Sequence, residues 1–185
     1  MDPPVITRHR RPFLAPLWLT LLAIVVVGAG AVTFYRSATT TVVLLVRPVE
    51  KQPGSIDDPP LSPEGEQRAQ RLAQMFGDAG AGGGLEAIYA SDDRRAQQTA
   101  APLAQRLHRA PQLFSAGDAR TAAARVVREH AGGTVLVIGS GTTVPQMIHE
   151  LNGVDVGAAA PGESDILYVV SVPSFGRAHL VRIRL

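Results

Sequence analysis

Apolar positions along the 185-residue chain follow two different patterns. From Pro12 to Tyr35 no charged residue interrupts the sequence, and only Thr20 and Thr33 break the apolar character of Leu17 to Phe34. From Thr41 onward, short β-branched runs alternate with stretches in which apolar residues recur at helical spacing. The first pattern predicts one helix that is apolar all round. The second predicts an α/β domain.

The apolar segment is long enough for a membrane span, which needs roughly 20 residues at a rise of 1.5 Å each. Trp18 stands near one end and Phe34-Tyr35 at the other, where headgroup belts favour aromatic rings. Arg8, Arg10 and Arg11 precede the segment, and only Arg36 closely follows it. The positive-inside rule then puts the N-terminus in the cytoplasm and residues 37–185 on the far side of a bacterial-type cell membrane. A cleaved signal peptide is the rival reading, with Ala29-Gly30-Ala31 as its processing site and secretion of the domain as its result. A core helix would carry polar residues along one face, and this segment does not. The expected organisation is a basic segment at 1–12, an anchor at 13–35, a linker at 36–40 and a domain at 41–185.

Within the domain, Thr41 to Val46 and Thr134 to Ile138 are continuous apolar runs, as expected of strands buried on both faces. Ala87 to Ala90 is a shorter strand. Ser62-Pro63-Glu64 has a capping hydroxyl, a first-turn proline and an acid at the positive end of a helix dipole. Ala69, Leu72, Ala73 and Phe76 form that helix's buried stripe. Ala96, Ala100, Leu103, Ala104 and Leu107 mark a second helix, which Pro102 is expected to kink or divide. Ala123, Val126, Val127 and His130 mark a third, and Val144 to Leu151 a fourth. Asp165 to Val172 and Ala178 to Leu185 read as two closing strands around Pro173-Ser174-Phe175-Gly176. The expected architecture is a mostly parallel central sheet with helices on both faces, and ligands bind such sheets outside the carboxyl ends of the strands.

Composition narrows the function classes. The chain has no cysteine, which excludes disulfides and thiolate metal sites. Its net charge of +2 is unevenly spread. Residues 1–36 carry a net +3, whereas residues 37–185 carry 14 basic and 15 acidic side chains. The domain therefore lacks the basic stripe of a nucleic-acid binder. His and carboxylate clusters at metal-ligand spacing are absent, so neither a metal nor a cofactor is expected. Asp57-Asp58-Pro59-Pro60 reads as a solvated turn.

The three predicted strand ends are Arg47-Pro48-Val49-Glu50, Ser91-Asp92-Asp93 and Gly139-Ser140-Gly141-Thr142-Thr143. With Leu61-Ser62-Pro63-Glu64-Gly65-Glu66-Gln67-Arg68-Ala69 and Ser91 to Ala100, they form four motifs in order. In these motifs the chain resembles the histidine phosphatase superfamily, which contains phosphoglycerate mutases and small phosphohistidine phosphatases. The resemblance implies that fold, and a pocket in which one histidine attacks phosphorus while a second histidine and two arginines hold the phosphoryl oxygens. It assigns the phosphate-holding roles to Arg47 and Arg95. The positions of the two histidines hold Pro48 and Ser140. The proton donor of the mutase-like branch, a Glu after the Thr-Ala of the second motif, is replaced by Ala101.

No other histidine is expected to substitute. His9 precedes the span, His108 and His130 lie near helix ends leading away from the strand ends, His149 is two turns into its helix, and His179 begins the last strand. Ser140 has a hydroxyl but no adjacent base to activate it. Arg47, Arg95 and Ser140 are thus expected to bind phosphate without transferring it, with Glu50 and Thr142 as accessory residues. Arg47 could instead pair with Glu50 or Asp92 and close the pocket. The sequence reading is a membrane-tethered pseudophosphatase that binds a phosphorylated ligand or a protein partner. The alternatives are a residual phosphomonoester hydrolase and a purely structural envelope module.

Overall fold

The computed structural model describes residues 17–37, 39–47, 58–77, 84–157 and 166–184. The chain forms two compact units, residues 1–37 and 38–185. The first contains α1 (Leu17–Ser37), a helix of 21 residues whose described side chains, Trp18 to Phe34, are all exposed. Among the described residues no helix is long and apolar enough to cross a membrane. The described side chains of α1, Trp18 to Phe34, fall within the expected anchor at 13–35.

The second unit is built from β1 (Thr40–Val46), α2 (Pro63–Gly77), β2 (Ala87–Ser91), α3 (Arg94–Leu107), β3 (Gln112–Phe114), α4 (Ala119–Glu129), β4 (Thr134–Ile138), α5 (Thr143–Asn152), β5 (Ile166–Pro173) and β6 (His179–Arg184). The six strands form one sheet in the order β3-β2-β4-β1-β5-β6. The pairs β3–β2, β2–β4 and β4–β1 are parallel, and β1–β5 and β5–β6 are antiparallel. The sheet is therefore mixed, parallel across its first four strands and closed by a hairpin.

Alternation along the strands sorts the core into two layers. Val43 and Leu45 of β1 join Tyr89, Val135 and Val137 under α4 and α5. Leu44 and Val46 join Ile88, Ala90, Leu136 and Ile138 under α2 and α3. Helices thus cover both faces, as the continuous apolar runs of β1 and β4 predict.

Ser62 starts α2 as expected, its Oγ accepting the Gly65 N–H at 3.1 Å. Two expectations need correction. Pro102 does not divide its helix, because α3 runs unbroken from Arg94 to Leu107. Burial of Ala96, Thr99 and Ala100 before the proline and Leu103 after it holds the helix against the sheet despite the missing N–H. The short edge strand β3 is absent from the sequence reading. Its three residues, of which only Phe114 is buried, carry too little pattern to mark a strand.

Candidate functional site

The carboxyl ends of β1, β2 and β4 lie on neighbouring strands, with β4 between the other two. Backbone bonds fasten them together. The Gly139 N–H donates to the Val46 carbonyl at 3.2 Å, and the Asp92 N–H to the Phe114 carbonyl at 2.9 Å. Ala116 bridges the two sides, giving its N–H to Asp92 Oδ1 at 3.0 Å and accepting the Thr143 hydroxyl at 3.1 Å.

Arg47 follows the last residue of β1 and is only 8% exposed, which is unusual for arginine. Its Nη2 donates to the Tyr168 hydroxyl at 3.3 Å, and its guanidinium carbon lies 5.9 Å from that ring's centroid. Tyr168 comes from β5, opposite Leu45, and the sequence reading gave it no role. Arg47 Nε is buried without a hydrogen-bond partner. Arg47 makes no ion pair with Asp92, whose Oδ1 serves Ala116. Its other expected partner, Glu50, lies outside the described residues, as does Pro48.

Arg95 is the second residue of α3 and is half-buried, and its Nε is likewise buried and unpartnered. The start of α3 is held by a residue from far along the chain. Asp58 Oδ1 accepts the Arg94 N–H at 2.9 Å, so this acid caps the helix rather than lying idle in a solvated turn. A turn further on, Gln98 Oε1 accepts the Leu61 N–H at 2.8 Å. Gly65 packs closely under Leu61: a Cβ there would approach Leu61 Cδ2 to 3.1 Å, so the leucine would have to shift by a few tenths of an ångström. These contacts explain physically why the Leu61–Ala69 and Ser91–Ala100 motifs occur together. Asp93 adds a third orphan: the Ser91 hydroxyl donates to its Oδ2, while its Oδ1 is buried without a partner.

Ser140 is fully engaged. Its Oγ accepts the Thr143 N–H at 3.1 Å and, more weakly, the Thr142 N–H at 3.4 Å. It also lies 2.7 Å from Thr143 Oγ1 and 3.0 Å from Thr142 Oγ1. Because Thr143 gives its own proton to Ala116, the short contact with Thr143 has Ser140 as the donor. The serine is thereby a cap for the first turn of α5, and among the described residues no base is hydrogen-bonded to its hydroxyl. Thr142, expected as an accessory residue, is exposed beside it.

None of the described histidines reaches these strand ends. His108 caps the far end of α3, His130 bonds to Tyr89, His149 pairs with Asp155 at 2.8 Å, and His179 opens β6. Among the described residues no cluster of ligating side chains could hold a metal ion.

The strand order and the helices on both faces agree with the fold that the sequence motifs imply. Residues 38–116 match the histidine phosphatase superfamily (branch 1). No curated protein matches the chain by sequence. Among solved structures, the protein histidine phosphatase SixA complexed with tungstate is 17% identical at a TM-score of 0.61, covering 77% of this chain and 96% of its own. The mycobacterial glucosyl-3-phosphoglycerate phosphatase is 16% identical at 0.61, covering 76% and 97%. The putative phosphohistidine phosphatase SixA from Agrobacterium tumefaciens is 18% identical at 0.55, covering 78% and 98%. At these identities the structural likeness speaks to the fold.

Proposed function

We propose that this protein is a membrane-anchored, non-catalytic member of the histidine phosphatase superfamily that binds a phosphorylated ligand through Arg47 and Arg95. The observation that carries the proposal is the pair of buried guanidinium Nε atoms without partners, at strand ends where the two histidine positions hold Pro48 and Ser140. Burying arginine without pairing it is costly, and a phosphoryl group supplies the acceptors that guanidinium forks suit. Phosphoryl transfer through a covalent intermediate needs a nucleophile. Removing one costs on the order of 10⁶ in turnover where it has been dissected. Proline supplies none, and the Ser140 proton is committed to Thr143.

The anchor reading is supported by the apolar character of the described side chains of α1 and by the absence of charge from Pro12 to Tyr35. It holds the domain outside the cytoplasm. Signal cleavage after Ala31 would release it instead.

The test uses the full chain in detergent. It is expected to release no phosphate from an aryl phosphate above the level of the Arg47→Ala variant, while binding inorganic phosphate or tungstate in a manner lost in Arg95→Ala. Turnover abolished by Arg47→Ala would reveal a hydrolase with an atypical nucleophile. Failure of the unmodified chain to bind either anion would reduce the domain to a structural module.

A further inference from the structure

Asp93 stands just before α3, where an aspartate ordinarily accepts a helix N–H. It makes no such bond. Asp58 takes the Arg94 amide, and the Asp93 carboxylate turns instead to Ser91, whose hydroxyl donates to Oδ2. Its Oδ1 is buried without a partner, and among the described residues no basic side chain pairs with it. A carboxylate oxygen can only accept, and leaving one unmet in the interior is costly.

This carboxylate belongs to the side of the sheet that carries Arg47. Ser91, which holds it, shares its face of β2 with Tyr89, in the layer under α4 and α5. Arg47 follows Leu45 on the corresponding face of β1, and Tyr168 of that same layer holds its guanidinium there. Only β4 separates β1 from β2, so their carboxyl ends are two strand spacings apart, about 10 Å. That gap takes one oxyanion with a hydrogen bond of about 2.8 Å on either side. Arg95 lies two residues beyond Asp93 in the first turn of α3. Two unmet donors, Arg47 Nε and Arg95 Nε, and one unmet acceptor, Asp93 Oδ1, thus border one crevice.

We propose that Asp93 makes this crevice selective for an oxyanion that carries a proton. Oδ1 accepts from the P–OH group of inorganic phosphate, while Arg47 and Arg95 donate to the other oxygens. The inference rests on the phosphate-binding reading above and names its ligand class. At neutral pH inorganic phosphate keeps a proton even as a dianion, whereas sulfate and the dianion of a phosphate monoester have none. Against either of these, Asp93 Oδ1 would set lone pair against lone pair and charge against like charge. A site built to meet a ligand's hydrogen rejects the analogue that lacks it more sharply than a difference in size does. Phosphate and sulfate are alike in size and in charge as dianions, so the proton is what such a site reads.

The experiment is titration calorimetry of the full chain in detergent at neutral pH, with inorganic phosphate, arsenate and sulfate. The expected result is phosphate bound at least about tenfold more tightly than sulfate, with arsenate, which also keeps a proton, ranking beside phosphate. Asp93→Asn, whose amide can donate, and Asp93→Ser should each bring sulfate level with phosphate, thermal melts confirming that the variants fold. Sulfate bound by the unmodified chain as tightly as phosphate, or arsenate ranking with sulfate, overturns the inference and leaves the phosphate-binding reading standing. So does a preference for phosphate that survives in a folded Asp93 variant. A chain that binds none of the three anions overturns the phosphate-binding reading, and this inference with it.

Discussion

Arg47 and Tyr168 meet across the antiparallel β1–β5 ladder, the phenol oxygen accepting from Nη2 at 3.3 Å while Nε keeps no partner. The tyrosine thus aims the guanidinium without exhausting its donors. Tyr168→Phe keeps the ring and removes one long hydrogen bond worth about 1 kcal/mol or less, so phosphate or tungstate affinity should fall no more than about fivefold. Arg47→Ala should abolish binding. Titration calorimetry distinguishes the two, and equal affinity in both variants would refute the assignment of Arg47.

Ser140 is predicted to matter for stability. Ser140→Ala removes the acceptor for the first amides of α5, at a cost of about 1 kcal/mol. For a domain of this size that lowers Tm by about 3 °C. Anion affinity should change far less than in Arg95→Ala. A variant with unchanged Tm but lost binding would show that the hydroxyl serves the ligand.

Asp58 holds the start of α3, on which Arg95 sits. Asp58→Ala should destabilise the domain by about 1 kcal/mol, and Asp58→Asn, which retains an oxygen acceptor, by clearly less. Because Arg95 lies one residue beyond the capped Arg94 N–H, anion binding should weaken in the alanine variant. Thermal melts with and without phosphate read both effects.

Tyr89 predicts a pH dependence. Burial pushes its hydroxyl above the usual phenol range, against the pull of Arg125 and with support from the Glu129 carboxylate. The folded value lies above the unfolded one, so the stabilisation is complete below about pH 10 and is lost as pH rises through the folded value. Tyr89→Phe should weaken the loss of stability above pH 10. It should also cost about 1 kcal/mol near neutrality, through the lost bonds to Glu129 and His130. Parallel alkaline denaturation of both proteins would contradict this.

The sheet was legible wherever the chain is buried on both faces. β1 and β4 announce themselves as unbroken apolar runs, and the hairpin of β5 and β6 is visible in the turn residues between them. The motifs likewise pointed to Arg47, Arg95 and Ser140. Side-chain commitments were not legible. Ser140 reads as a free hydroxyl until Thr143 and Ala116 are placed around it, because its proton's destination depends on a loop that precedes α4. Asp58 reads as a turn residue because the amide it caps is 36 positions away. Tyr168 was passed over because an apolar strand hides a tyrosine whose hydroxyl meets a cation 121 positions earlier. In each case the pattern along the chain records where a side chain is buried and says little about which polar atom it will meet.

The placement of β1 has a further consequence, for assembly. It is the first strand in the chain and sits inside the sheet, with Val42 beside Thr134 on one edge and Val43 beside Val170 on the other. Neither edge can be covered until most of the domain has emerged. Closing such long loops precedes any reward from the ladder, which is the circumstance that slows folding and leaves strand edges open to wrong partners. A chain that delivers its middle strand first must keep seven apolar-rich residues, Thr40–Val46, from pairing elsewhere until β5 arrives.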